Sequence, residues 1–295
     1  MFDLRLLLVT AIWGVNFSLV KFALADFYPL GFTIVRFSLA TLFLLVLMII
    51  NREPRGIERR DIAPLLRLGF IGITLYNILF MEGLRFTTAS NSALFIATSP
   101  LFAALAQSLS GKERITRRSG LGFLLSTIGA ALVIGSRLGS MTITRQNLAG
   151  DLLTLAAAFS WALYTMQAGP LLEKYSPVKV SAYSMAAGTV FLLPFGIHDL
   201  ANQPWRAISC ASWAALGFAA FFAGGLAYAL WYRGVKKLGA ASTIVYHYLM
   251  PFVAVLFAAV FLGEPITLLQ IAGGGAILGG VALVQRSRLA RPRSD

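Results

Sequence analysis

Apolar residues in this chain come in long blocks. Ten of them are read at 4–24, 30–50, 64–84, 89–109, 118–136, 150–170, 179–198, 211–232, 240–262 and 266–285. Each approaches or exceeds the ~20 residues a helix needs to cross a bilayer core, where the backbone must satisfy its own hydrogen bonds. The blocks are too long for strands and lack the two-residue alternation of a membrane barrel. The longest connections, about 51–63, 137–149 and 199–210, leave no room for a soluble domain. The pattern predicts an all-α integral membrane protein of ten transmembrane helices, one membrane domain over 1–295. Arg5 followed by an apolar run and Ala23-Leu24-Ala25 has the outline of a secretory signal. The run is long for one, holds Trp13, Asn16 and Lys21, and has a counterpart later in the chain, so it is expected to be kept.

Composition supports the membrane reading. Of 295 residues, 58% are hydrophobic and 13% charged, where a soluble domain carries about 25% charge. That excludes a soluble enzyme, a disordered chain and a disulfide scaffold. The lone Cys210 and two histidines make no metal cluster, so no metal and no cofactor are expected. The net charge of +13 would suggest nucleic acid in a soluble protein. Here it sorts by side. Eighteen of 25 basic residues fall in loops on one face: Arg5, the 52–60 and 112–118 groups, Lys174 and Lys179, the 233–237 group, and a tail over 286–295. Four, Arg85, Arg137, Arg145 and Arg206, fall on the other. By the positive-inside bias, both termini are expected in the cytoplasm, with the chain in the cell (inner) membrane. No nucleic-acid partner is then needed. The partners expected are the lipid bilayer and a small-molecule substrate. The sequence does not choose between monomer and homodimer.

The second half repeats the first. At an offset of 151, Gly83-Leu84-Arg85 meets Gly234-Val235-Lys236, Pro100 meets Pro251, and Glu113, Ile115 and Thr116 meet Glu264, Ile266 and Thr267. Nearer the start the offset is 148, and Trp13 meets Trp161. The repeats are read as 1–136 and 150–285, five helices each. Five is odd, so the second copy enters the membrane inverted. Equivalent loops swap their basic residues accordingly. Inverted repeats mark secondary transporters, with the substrate site near the midplane between them.

Trp13-Gly14-Val15-Asn16-Phe17, Pro29 and Arg36 resemble the opening of EamA-type proteins of the drug/metabolite transporter superfamily. Thr88-Ala89-Ser90, Pro100, Gly111 to Thr116 and the Gly122/Gly129 helix resemble the end of that repeat. Gly239-Ala240-Ala241-Ser242, Pro251 and Gly263 to Thr267 resemble its second copy. The resemblance implies two inverted five-helix repeats around a central cavity, alternating access, and export of metabolites. Among exporters, the chain looks most similar to those for aromatic and other neutral amino acids. The second copy departs from the first where Ala162 follows Trp161 and Ser184 replaces Arg36.

Polar and aromatic residues deep in helices are the site candidates, because polar groups there are costly and usually functional. Substrate contact is expected of Trp13, Asn16, Tyr76, Asn77, Trp161, Tyr164, Tyr228, Tyr246 and His247, with Asn91, Gln167 and Tyr248 also near helix centres. Aromatic faces attract an ammonium, and an uncharged cavity suits a neutral or zwitterionic cargo. Asn16 and Asn77 serve equally to bond neighbouring helices. Trp231, Tyr232, Tyr175, Trp205 and Trp213 read as an interfacial belt. Lys21 and Arg36 read as snorkelling to an interface, Arg36 with Asp26 as a further partner. Pro100 and Pro251 read as symmetric gating kinks. No catalytic residue is expected: intramembrane hydrolysis would need a Ser-His or paired-Asp constellation. Phosphorylated cargo such as sugar phosphates or nucleotide sugars would want several cavity cations. Drugs and other metabolites are the alternative cargo. No carboxylate offers itself as a proton carrier, so uniport and proton antiport both stay open, as does the direction of transport.

Overall fold

The computed structural model of the chain describes residues 3–109, 117–135 and 145–289. The expectations placed on Gly111 to Thr116, Arg137, Arg291 and Arg293 lie outside them. Among the described residues the fold is all helical and runs through ten helices: α1 (Leu4–Ala23), α2 (Pro29–Ile50), α3 (Arg59–Phe86), α4 (Ala89–Ile96 and Ser99–Leu109), α5 (Arg117–Gly135), α6 (Arg145–Lys174), α7 (Pro177–Asn202), α8 (Cys210–Leu238), α9 (Ala240–Ile244, Val245–Leu249 and Met250–Phe261) and α10 (Leu268–Leu289). By length and composition eight are fit to cross a membrane, and α5 and α10 hold shorter apolar stretches, Gly120–Val133 and Leu268–Leu283.

The helices start where the sequence supplies a cap. Asp3, Thr88, Ser176 and Ser209 each accept a backbone N–H from the first turn of α1, α4, α7 and α8. Pro29 and Pro177 take early positions that have no intrahelical donor to lose. Several helices outrun their apolar blocks. Helix α8 was expected to end near 232 but continues through Arg233, Lys236 and Lys237 to Leu238. Cations in a last turn meet the negative end of the helix dipole. The polar first turn of α3 is held by Asp61, whose carboxylate accepts from Lys174 at 2.9 and 3.0 Å and from the Tyr175 hydroxyl at 2.9 Å.

Two distortions recur in both halves. Helices α3 and α8 each contain a π-helical stretch, Phe70–Leu75 and Ala219–Leu226, about one repeat offset apart. Helices α4 and α9 are both broken in the middle. Pro100 and Pro251 stand as second residue of the half-helix that follows each break, so they begin a segment. Neither has an N–H to give the carbonyl four residues back. The Ser99 hydroxyl takes the Ile96 carbonyl at 2.5 Å, and the Met250 N–H takes the His247 carbonyl.

The molecule is apolar outside and mixed inside, as lipid requires. Leu268, Val260, Leu256 and Phe252 are 63–84% exposed. Asn16, Arg36, Asn77, Asn91 and His247 are buried. Helices α5 and α10 approach closely: a Cβ on Gly129 would stand 2.6 Å from the Gly273 carbonyl, and the Ser126 hydroxyl donates to the Ile277 carbonyl at 3.1 Å.

Candidate functional site

Seven helices converge on one central cavity. Helix α1 gives Trp13, Asn16 and Phe17; α2 gives Arg36; α3 gives Tyr76 and Phe80; α4 gives Ile96. From the second half come Trp161 of α6, Tyr228 of α8, and His247 and Met250 of α9. Both halves therefore build the wall. Trp13 and Trp161, equivalent in the repeat, meet edge to face with ring centroids 5.1 Å apart.

The local distortions aim these side chains. The π-helical stretches free carbonyls, and side chains at and behind the wall occupy them. Trp13 Nε1 donates to the Ala223 carbonyl at 2.9 Å and Arg36 Nε to the Ala219 carbonyl at 3.0 Å. In the other half, the Ser160 hydroxyl donates to the Ile71 carbonyl at 2.7 Å and Asn77 Nδ2 to the Ile73 carbonyl at 2.8 Å. The break in α9 turns His247 inward. Its ring stacks on Trp231 at 4.8 Å and on Trp161 at 5.7 Å.

Of the expected contacts, Trp13, Asn16, Tyr76, Trp161, Tyr228 and His247 line the cavity. Tyr164 stands behind them, 5.3 Å from Trp161 and 5.2 Å from Tyr232. Asn77 also lies behind the wall, on the carbonyl already given. Tyr246 does not line the cavity: its hydroxyl accepts the Asp3 N–H at 2.8 Å, at the head of α1. In a 3₁₀ turn successive residues point ~120° apart, so only one of Tyr246, His247 and Tyr248 faces the centre. Asn91 Oδ1 accepts from Gln270 Nε2 at 2.6 Å, which makes it a bond between α4 and α10.

Three readings are corrected. Trp231 and Tyr232 are wholly buried, not interfacial, because α8 continues six residues beyond Tyr232. Lys21 Nζ does not snorkel: it donates to the carbonyls of Leu84 (2.6 Å) and Thr87 (2.7 Å), holding α1 to the end of α3. Arg36 neither snorkels nor meets Asp26. Asp26 accepts instead from the hydroxyls of Ser209 and Ser212, both at 2.7 Å. Arg36 is 4% exposed and lines the cavity, its guanidinium 4.8 Å from the Phe37 ring centre. The interior is thus not free of charge. The signal was depth: seven residues into α2, at 1.5 Å per residue, puts Arg36 about 10 Å past the helix start.

The cavity holds about 30 Å³, room for a single water, against the ~300–1,000 Å³ of a typical ligand pocket. Admitting a cargo requires the walls to part. Polar capacity waits there: Asn16 Oδ1, Trp161 Nε1 and both His247 nitrogens have no partner among the described residues. The described residues contain no group of three His, Cys, Asp or Glu able to hold a metal.

Comparison with known proteins fits this architecture. The sequence pattern of the EamA-like transporter family matches twice, over residues 2–135 and 148–286. The chain is 32% identical over 254 residues to the "Probable terminal-alkyne amino-acid exporter" of Streptantibioticus cattleyicolor, covering 84% of this chain and 82% of that one. It is 29% identical over 269 residues to "Uncharacterized transporter YyaM" of Bacillus subtilis, covering 91% and 88%. A solved structure titled only "Crystal structure of protein" superposes with a TM-score of 0.69 at 18% identity, covering 98% of both chains, and so shares the fold. The chain, a multi-pass membrane protein, belongs to the EamA-like transporter family of the drug/metabolite transporter superfamily.

Proposed function

We propose that the protein exports small neutral amino acids, aromatic ones among them, from the cytoplasm by alternating access through the central cavity. The observation that carries this reading is the wall of Trp13, Tyr76, Trp161 and Tyr228 between the two halves, with the unpaired polar atoms of Asn16 and His247 among the rings. Aromatic faces attract an ammonium within ~6 Å of the ring centre, and amide and imidazole groups both donate and accept. The amino-acid exporter among its relatives supports the same cargo class. A transport role is supported by the wall itself, which holds one histidine and no carboxylate to act with it. The eighteen-to-four distribution of basic residues supports an orientation with both termini in the cytoplasm. Pro100 and Pro251 supply the paired hinges at which α4 and α9 bend.

The test is reconstitution into liposomes with a panel of labelled amino acids, with and without a pH gradient. Counterflow of phenylalanine and other neutral amino acids is expected. No flux of any neutral amino acid overturns the reading.

A further inference from the structure

A guanidinium in the middle of a membrane protein needs an anion. Desolvating a charge is costly unless a counter-charge and hydrogen bonds replace the water, and intramembrane charges usually mark the substrate path. Arg36 is 4% exposed. Its Nε is used by the Ala219 carbonyl, and its terminal nitrogens make no hydrogen bond to any described residue. The nearby acids are engaged elsewhere. Asp26 is held by Ser209 and Ser212, Asp199 accepts the Leu30 N–H at 2.9 Å, and Glu82 stands beside Arg85 at 3.8 Å. No Asp or Glu lines the cavity.

We propose that Arg36 is the anchor for the carboxylate of the cargo, so that the carrier selects molecules with a free carboxylate. The planar fork of a guanidinium matches a carboxylate with two parallel bonds, and Nε is already committed, which leaves the far edge for the cargo. The Ala219 bond and the Phe37 ring fix the head group from the α8 and α2 sides. Trp13 and Tyr228, which line the same cavity as Arg36, offer rings to an ammonium, and Phe17, Phe80 and Ile96 offer apolar wall to a side chain. Phosphates, which gather several cations, find one here. The inference rests on the amino-acid reading only for the ammonium; the anchor itself requires only the acid.

The experiment is uptake of labelled phenylalanine into proteoliposomes, challenged with unlabelled phenylalaninamide, phenethylamine and 3-phenylpropionate, in wild type, Arg36→Gln and Arg36→Lys. Labelled 3-phenylpropionate and phenylalaninamide are run in parallel. The readout is the ratio of carboxylate to amide transport within one preparation, which loss of folded protein does not move. In wild type the carboxylates compete and the amide and amine do not. Arg36→Gln lowers the ratio by about tenfold or more, the size of a lost charge-assisted pair, and Arg36→Lys by less. An amide that competes as well as phenylalanine in wild type, or an Arg36→Gln ratio equal to wild type, overturns the anchor. Movement of phenylpropionate without phenylalanine, lost in Arg36→Gln, upholds the anchor and overturns the amino-acid reading. Phenylalanine flux with an unchanged ratio in Arg36→Gln does the reverse. Failure of every probe in wild type overturns both.

Discussion

Truncating Trp161 tests the central cavity most directly. The centroids of Trp13, Tyr76, Tyr164, Tyr228, Trp231 and His247 all stand 5.1–5.8 Å from that of Trp161. An aromatic pair adds ~0.5–1.5 kcal/mol beyond burial, so a simple sum over these pairs can exceed the ~3–5 kcal/mol that truncating a buried Trp costs. Contacts sharing one ring are not additive, and the smaller range is the one to use. Trp161→Ala should therefore lose about 3–5 kcal/mol, a fall in Tm of roughly 6–20 °C by the scaling of soluble domains. Trp161→Phe keeps a ring and should lose about 1–2 kcal/mol. That makes it the better transport probe, because it stays folded while the cavity opens beyond its 30 Å³. Fluorescence melting in detergent reads the first effect and liposome flux the second. Flux and melting unchanged in both variants would refute the placement of Trp161 at the closed centre.

Gly72→Ala sets a Cβ onto the Tyr164 ring; a loss of about 1–3 kcal/mol is expected from overpacking, and an unshifted melting curve sinks it. Pro251→Ala restores an N–H that can reach the His247 carbonyl, relaxing the 3₁₀ turn and rotating His247 off the wall. Flux should fall several-fold while the helix itself gains stability, and Pro100→Ala should mirror it in α4; wild-type flux in both counts against the hinges. The Lys237 ammonium 3.1 Å from Asp3 holds that carboxyl below its ordinary range. With the folded value depressed, this stabilisation is full above the unfolded pKa of ~3.9 and disappears as pH falls through the folded one. The Tm gap between wild type and Asp3→Asn should thus close in acid, and a gap constant from about pH 7 to pH 3 would contradict it. Unlabelled phenylalanine should compete for labelled phenylalanine uptake at least several-fold better than alanine; equal competition removes the role given to the rings.

Much of the architecture was legible because the bilayer sets a length scale: ~20 apolar residues per crossing pick out α1 and α2 almost to the residue. The Trp13/Trp161 pair was legible because duplication exposes equivalent positions. What the pattern could not carry was direction. Tyr246 and His247 are adjacent and equally deep, and only the 3₁₀ turn before Pro251 separates them. Trp231 and Tyr232 looked interfacial because Arg233 ended the apolar block, while the helix does not end there. Arg36 looked like a snorkeller because that is the common fate of a lone cation, although its depth in α2 argued otherwise. The π-helical stretches have no signal in hydropathy, since they change hydrogen bonding and not composition.

The closed centre also bears on which cargo suits it. With Trp13 and Trp161 in edge contact and room for one water, any cargo must enter by separating rings that now touch. Each separated pair forfeits part of its ~0.5–1.5 kcal/mol. A cargo carrying its own ring restores such contacts with both walls; a small aliphatic one restores little. The same logic applies to charge. Arg36 gains a fork-matched anion only when a carboxylate arrives, and loses it when the cargo leaves. Tight packing and an unneutralised guanidinium thus work together. They disfavour an opening that admits only water, and favour one in which ring and carboxylate arrive on a single molecule.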